Sequence, residues 1–85
     1  MAYRVLLSSA AESQLKKLDR AIARRVRDRI DALATEPRAA GTVKLTNEDL
    51  YRVRAGDIRI VYAIQDDRLL VLVIRIAKRD EVYSR

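Results

Sequence analysis

Apolar residues follow two different periods along this chain. Between residues 11 and 33 they recur at intervals of three and four, and between 50 and 77 they alternate, so the pattern predicts helices first and a sheet afterwards. Ahead of both, residues 3–7 form a short run with Val5, Leu6 and Leu7, bounded by Ser8 and Ser9, which reads as a first strand. Ser9 with Glu12 three positions on fits a capping box, in which each side chain satisfies a free backbone N–H at a helix start. Ala11, Leu15 and Leu18 give that helix its apolar stripe. Asp19 is placed to cap a second helix, on which Ile22, Val26, Ile30 and Leu33 share one face and so lie on a core. The other face carries Arg24, Arg25, Arg27, Asp28 and Asp31 and reads as a solvated surface with local ion pairs. Pro37 and Gly41 end the helical hairpin, and three strands follow over Leu50–Ala55, Ile58–Gln65 and residues 69–77. The expected fold is α+β: a short N-terminal strand, a helical hairpin, then an antiparallel three-stranded meander, with the helices packed on one face of a four-stranded sheet.

Register turns this pattern into chemistry. A tight turn at Gly56-Asp57 pairs Val53 with Ile60 and Tyr51 with Tyr62, which assigns the tyrosines to the core and sets Arg54 opposite Arg59. In the next hairpin, a turn centred on Asp67 brings Ile58, Ile60, Tyr62 and Ile64 onto one face with Leu70, Leu72, Ile74 and Ile76. That register places Arg75 opposite Arg59. The face away from the helices then carries Arg52, Arg54, Arg59 and Arg75 at one end, and Val61, Ala63, Val71 and Val73 at the other. Like charges directly across strands repel, so a row of Arg54, Arg59 and Arg75 costs stability unless an anion sits on it, and a phosphate-binding site is expected there. The competing reading is that the long guanidinium side chains splay into water. The exposed valines at the other end invite a partner segment.

Composition narrows the options. With 85 residues the chain is expected to form one domain, 1–85. Its 18 Lys and Arg against 12 Asp and Glu leave a net charge of +6, which favours polyanions or an acidic partner. There is no cysteine and no histidine, so disulfides, thiolate chemistry, the commonest zinc sites and the usual catalytic base are excluded; no metal or cofactor is expected. The longest apolar run, Leu69 to Ile74, is far shorter than the roughly 20 residues that cross a bilayer, and the expectation is a cytoplasmic protein with no membrane partner.

The ordered set Tyr51-Arg52-Val53-Arg54, Gly56-Asp57-Ile58-Arg59-Ile60-Val61-Tyr62, Val73-Ile74-Arg75-Ile76-Ala77-Lys78-Arg79 and Glu81-Val82-Tyr83-Ser84, with Lys44-Leu45 before it, resembles the RelE branch of the RelE/ParE toxin superfamily. The resemblance spans nearly the whole chain. It implies the toxin of a type II toxin–antitoxin pair, a ribosome-dependent endoribonuclease that meets 16S rRNA and cleaves messenger RNA in the A site. Its partners would be a RelB-like antitoxin and the ribosome, with operator DNA bound through the antitoxin. By the same resemblance the basic active-site residues fall on Arg52, Arg54, Arg59 and Arg79, and a catalytic tyrosine on Tyr83. Arg54, Arg59, Arg79 and Tyr83 are therefore the expected catalytic residues, with Arg52, Lys44, Arg75 and Lys78 on RNA and Val61, Ala63, Val71 and Val73 under the antitoxin. Some family members carry lysines where Arg52 and Arg54 stand here, and arginine hardly serves as a base, which leaves proton removal to Tyr83, Lys78 or Lys44, or else to the ribosome and solvent. Two other functions fit the same pattern: a ParE-like inhibitor of DNA gyrase, and a non-catalytic module that binds nucleic acid or an acidic peptide.

Overall fold

The computed structural model describes residues 2–39, 41–45 and 50–78. Its elements are β1 (Arg4–Leu7), α1 (Ser9–Lys16), α2 (Arg20–Leu33), β2 (Val43–Lys44), β3 (Leu50–Ala55), β4 (Ile58–Gln65) and β5 (Leu70–Lys78). They build an α+β fold with a five-stranded mixed sheet in the order β1-β5-β4-β3-β2, in which β1 runs parallel to β5. The expected sheet had four strands. The fifth, β2, has only two residues, paired with Arg52 and Tyr51 of β3, which is too short for alternation to reveal.

Both helices pack on one face. Val26, Ile30 and Leu33 of α2 are buried as their spacing predicts, but Ala23 takes the place expected for Ile22, which stays 37% exposed. Asp19 caps α2 by accepting from the Ala21 amide at 3.3 Å. The cap of α1 lies one residue earlier than its sequence suggests. Ser8 accepts from the Ala11 amide at 3.0 Å through Oγ, and the same hydroxyl donates to the Ile74 carbonyl at 2.7 Å. Its backbone N–H donates to Val73 at 2.8 Å, so a single serine ends β1, starts α1 and fastens both to β5.

The β3–β4 hairpin has the register its turn predicts: Arg54 faces Arg59, Val53 faces Ile60 and Tyr51 faces Tyr62. The β4–β5 hairpin does not. Its loop is four residues long, a single 3-10 turn at Asp66–Arg68 followed by Leu69 in the left-handed region at φ 50°, so Gln65 pairs with Leu70. This one-residue slip exchanges the two faces of β5: Val71 and Val73 are 0% exposed inside the core, and Leu70 and Leu72 lie on the outer side. A bulge between Val61 and Tyr62 then absorbs Ile74 and restores the parity, bringing Ile76 back to the core beside Ile60. Arg75 returns to the outer face, but opposite Val61; Arg59 has Ala77 for a partner.

One end of the sheet is closed by a polar clasp. Arg38 binds both carboxylate oxygens of Asp66, at 3.0 and 2.8 Å, and its guanidinium lies 5.3 Å from the centre of the Tyr51 ring. Tyr3 donates to Asp66 at 2.7 Å. Arg38 first and Tyr3 second hold the Asp66 carboxyl down to about 2. A carboxylate whose pKa is lower in the folded than in the unfolded chain contributes stability above its unfolded value, and that contribution disappears as pH falls through the folded one. The fold is therefore expected to lose stability between about pH 4 and pH 2. Asp66→Asn should flatten that part of the curve in thermal melts across pH; an unchanged profile would show that the clasp does not hold in solution.

Candidate functional site

Strand pairing aligns the side chains of the outer sheet face into rows. Leu6, Leu72, Ala63 and Leu50 form one row across four strands. The next contains Arg75, Val61, Arg52 and Val43, and the one after it Ala77, Arg59 and Arg54. The face therefore carries an apolar patch beside its basic rows, but with a changed cast: the patch is built from Leu6, Leu70, Leu72 and Ala63, and Arg4 and Gln65 stand on either side of Leu70. Val71 and Val73 are buried among Tyr62, Ile60 and the helices, so they offer no surface to a partner. Ala63 is half-buried, and Val61, on the same face, is buried at 9% exposure.

The structure brings together four arginines, Arg52, Arg54, Arg59 and Arg75, on three adjacent strands. Their arrangement is two staggered rows rather than the single line of Arg54, Arg59 and Arg75 that the simpler register predicts. Arg54 and Arg75 are exposed and Arg52 is half-buried, whereas Arg59 is only 1% exposed. Ile58 and Ile60, to either side of Arg59, point into the core, so alternation puts Arg59 on the outer face. Three of the four side chains thus reach solvent, and that of Arg59 is covered. Fixed guanidinium forks on one rigid face suit a phosphodiester, since each can donate two parallel hydrogen bonds.

The two lysines of the expected site are not with them. Lys44 pairs with Tyr51 and Lys78 with Ile58, both core-facing residues, so each lysine lies toward the helix side of the sheet, exposed at its margin. Lys78 lines a cleft with Gln14, Lys17 and Leu18. Arg79 and Tyr83 lie outside the described residues. The hydrogen bond from the Ile76 amide to Gln14 Oε1, 2.7 Å, holds β5 where β1 no longer flanks it; its partners are 62 positions apart, which no local pattern foretells. Among the described residues no three His, Cys, Asp or Glu side chains gather as a metal site, and no helix is long and apolar enough to cross a membrane.

Comparison with known proteins places this geometry in a setting. Residues 5–83 match the family model of the ParE toxin of the type II toxin–antitoxin system, parDE. An Escherichia coli protein that bears a RelE-like toxin name is 27% identical over 88 residues, covering 99% of this chain and 93% of its own. In the RelBE2 toxin–antitoxin complex of Mycobacterium tuberculosis, a chain 27% identical superposes with a TM-score of 0.83, over 93% of this chain and 100% of that one. The archaeal RelE–RelB complex of Pyrococcus horikoshii contains another, 28% identical with a TM-score of 0.79, over 93% of this chain and 97% of its own.

Proposed function

The chain belongs to the ParE-toxin family of type II toxin–antitoxin systems, in the RelE/ParE superfamily, and from that premise we infer that it is a ribosome-dependent endoribonuclease that cuts messenger RNA in the A site. The observation that carries this reading is the set of arginines on the outer sheet face, with Arg54 directly opposite Arg59 and with Arg52 and Arg75 flanking Val61. In this reaction the ribose 2′-oxygen attacks the adjacent phosphorus, the bond to the 5′-oxygen breaks, and a 2′,3′-cyclic phosphate and a 5′-hydroxyl result. One proton leaves the 2′-hydroxyl for a base, another reaches the 5′-oxygen, and negative charge grows on the phosphoryl oxygens. Arg54, Arg52 and Arg75 bind that charge at the surface. Arg59 is assigned to the same phosphate by resemblance to the RelE branch. Arg79 serves the leaving oxygen and Tyr83 the 2′-hydroxyl, by resemblance to the RelE branch. Lys44 and Lys78, on the other side of the sheet, act on flanking RNA rather than as the base. With few proton-transfer groups of its own, the protein relies on the ribosome to set the strand in line, and free RNA is cut poorly.

The partner that restrains this activity is a RelB-like antitoxin, which covers the apolar row Leu6, Leu72 and Ala63 beside the basic rows. Complexes of this kind are formed by the mycobacterial and archaeal relatives. The name of the matching family model favours a second reading, inhibition of DNA gyrase. Sequencing transcripts from ribosomes after brief induction separates the two. New 5′-hydroxyl ends inside ribosome-bound codons are expected, whereas intact messages with DNA breaks would replace the nuclease by a gyrase poison.

A further inference from the structure

Helix α2 carries five arginines and two aspartates, yet none of those arginines forms an ion pair with a described residue; the one ion pair among the described residues is Arg38 with Asp66. The solvated face is real, and the local ion pairs expected on it are missing. Two of these arginines reach the tip of the β3–β4 hairpin. Arg29 donates through Nε to the Arg54 carbonyl at 3.1 Å, and a β-carbon placed on Gly56 would stand 3.8 Å from Nη1 of Arg25. Between them lies a shallow, open cleft of about 330 Å³ lined by Arg25, Asp28, Arg29, Arg54, Ala55 and Gly56. The Arg25 and Arg29 guanidinium groups against the one Asp28 carboxylate leave it cationic, and Arg54, whose backbone carbonyl forms part of its wall, carries its own charge on the adjoining outer face. All three arginines are exposed.

Arg54 belongs to two places at once: it stands beside Arg59 on the outer face, and its carbonyl holds Arg29 from the helix side. Basic groups therefore stand on both sides of the hairpin tip, Arg54 on the sheet face and Arg25 and Arg29 on α2, with the exposed Asp57 at the tip itself. We propose that this cleft is a second phosphate-binding site, which holds a neighbouring phosphodiester of the same RNA strand whose scissile group lies on the sheet face. The inference rests on the reading of that face as an RNA site and extends it. A strand is the occupant that this placement favours, because its evenly spaced charges meet the sheet face and the cleft in one path; an isolated acidic side chain would use only one of them.

The test uses the whole chain and a single-stranded RNA oligonucleotide made uncleavable by 2′-O-methyl groups, with binding followed by fluorescence anisotropy over a series of salt concentrations. Each phosphate contact in a single strand contributes about 0.7 to the slope of log affinity against log salt. Arg25→Gln and Arg29→Gln are each expected to lower the slope by about that amount and to weaken binding several-fold. Arg27→Gln removes the same charge but lies about 200° around the helix from both, and should leave the slope unchanged. Equal effects at Arg25 and Arg27 would overturn the proposal, since only overall charge would then matter. Arg25 makes no hydrogen bond among the described residues, so its variant decides the matter even if loss of the Arg29 contact loosens the hairpin. A drop in affinity for a short poly-glutamate peptide but not for RNA in Arg25→Gln would also overturn it, in favour of an acidic partner. Arg75→Gln reports the sheet face alone: sensitivity at Arg75 without sensitivity at Arg25 refutes the cleft, and the reverse refutes the sheet-face reading instead.

Discussion

Replacing Arg54 by glutamine is expected to lower cleavage of ribosome-bound message by about a hundredfold or more while leaving the fold as stable as before, or slightly more so. The two effects have one cause. Arg54 sits directly across from Arg59 on the neighbouring strand, where like charges oppose pairing by about 0.2–1 kcal/mol, with the solvent around Arg54 favouring the lower end. Its side chain is exposed and makes no hydrogen bond among the described residues; what the fold uses is its carbonyl, which accepts from Arg29 and survives the substitution. A phosphoryl group in the transition state would gain most from the same charge that the resting protein tolerates at a cost. Single-turnover cleavage on programmed ribosomes, paired with urea unfolding at low salt, measures both. Any stability gain should shrink as salt screens the pair. A variant that cuts as well as the parent would remove Arg54 from the site, and one that unfolds more easily would show that Arg54 is structural. Arg59 makes a poorer first test. At 1% exposure its replacement alters packing as well as charge, so lost activity in Arg59→Ala would not separate the two.

Which parts of this arrangement could be read from the sequence follows from which strands have two distinct faces. In β3, polar and apolar residues alternate cleanly, and a glycine at φ +63° marks the turn, so the pairing of Arg54 with Arg59 is legible. The run Leu70-Val71-Leu72-Val73-Ile74 has no polar face at all. Either parity buries a respectable core, and alternation cannot choose between them. The choice is made by a four-residue loop ending in a left-handed Leu69 and by a bulge whose carbonyl bonds to Ser8, 66 positions away. A leucine at positive φ is rare enough that no turn rule anticipates it. The same two slips explain why Val71 and Val73 went into the core while Ile76 and Arg75 kept their expected sides. The basic character of the outer face was legible because it rests on residues of β3 and β4 whose register is fixed by the Gly56 turn. The burial of Arg59 was not, because nothing in the alternation of β4 distinguishes a covered outer position from an open one.

Tyr62→Ala is expected to destabilise the protein by about 3–5 kcal/mol, and Tyr62→Phe by about 1–3 kcal/mol. For a chain of this size, whose whole stability is on the order of 5–15 kcal/mol, the first change brings it close to unfolding. Tyr62 is 0% exposed and stacks on Tyr51 with ring centres 5.9 Å apart. Its hydroxyl donates to the Pro37 carbonyl at 2.7 Å and lies 3.4 Å from the Thr42 hydroxyl, tying the segment between α2 and β2 to the central strand. Burial pushes its pKa up, so the phenol remains a neutral donor at physiological pH. The two variants separate what the ring and the hydroxyl contribute: phenylalanine keeps the stack and leaves one buried carbonyl without its donor, whereas alanine removes the packing too. Tyr62 also stands at the bulge, paired with Val73, next to the step that sets Arg75 opposite Val61. The phenylalanine ring still fills that step, so Tyr62→Phe should bind RNA as the parent does despite its lower unfolding midpoint. Weakened RNA binding in a folded Tyr62→Phe protein would mean that the hydroxyl's hold on Pro37, and not the ring, keeps the basic rows aligned.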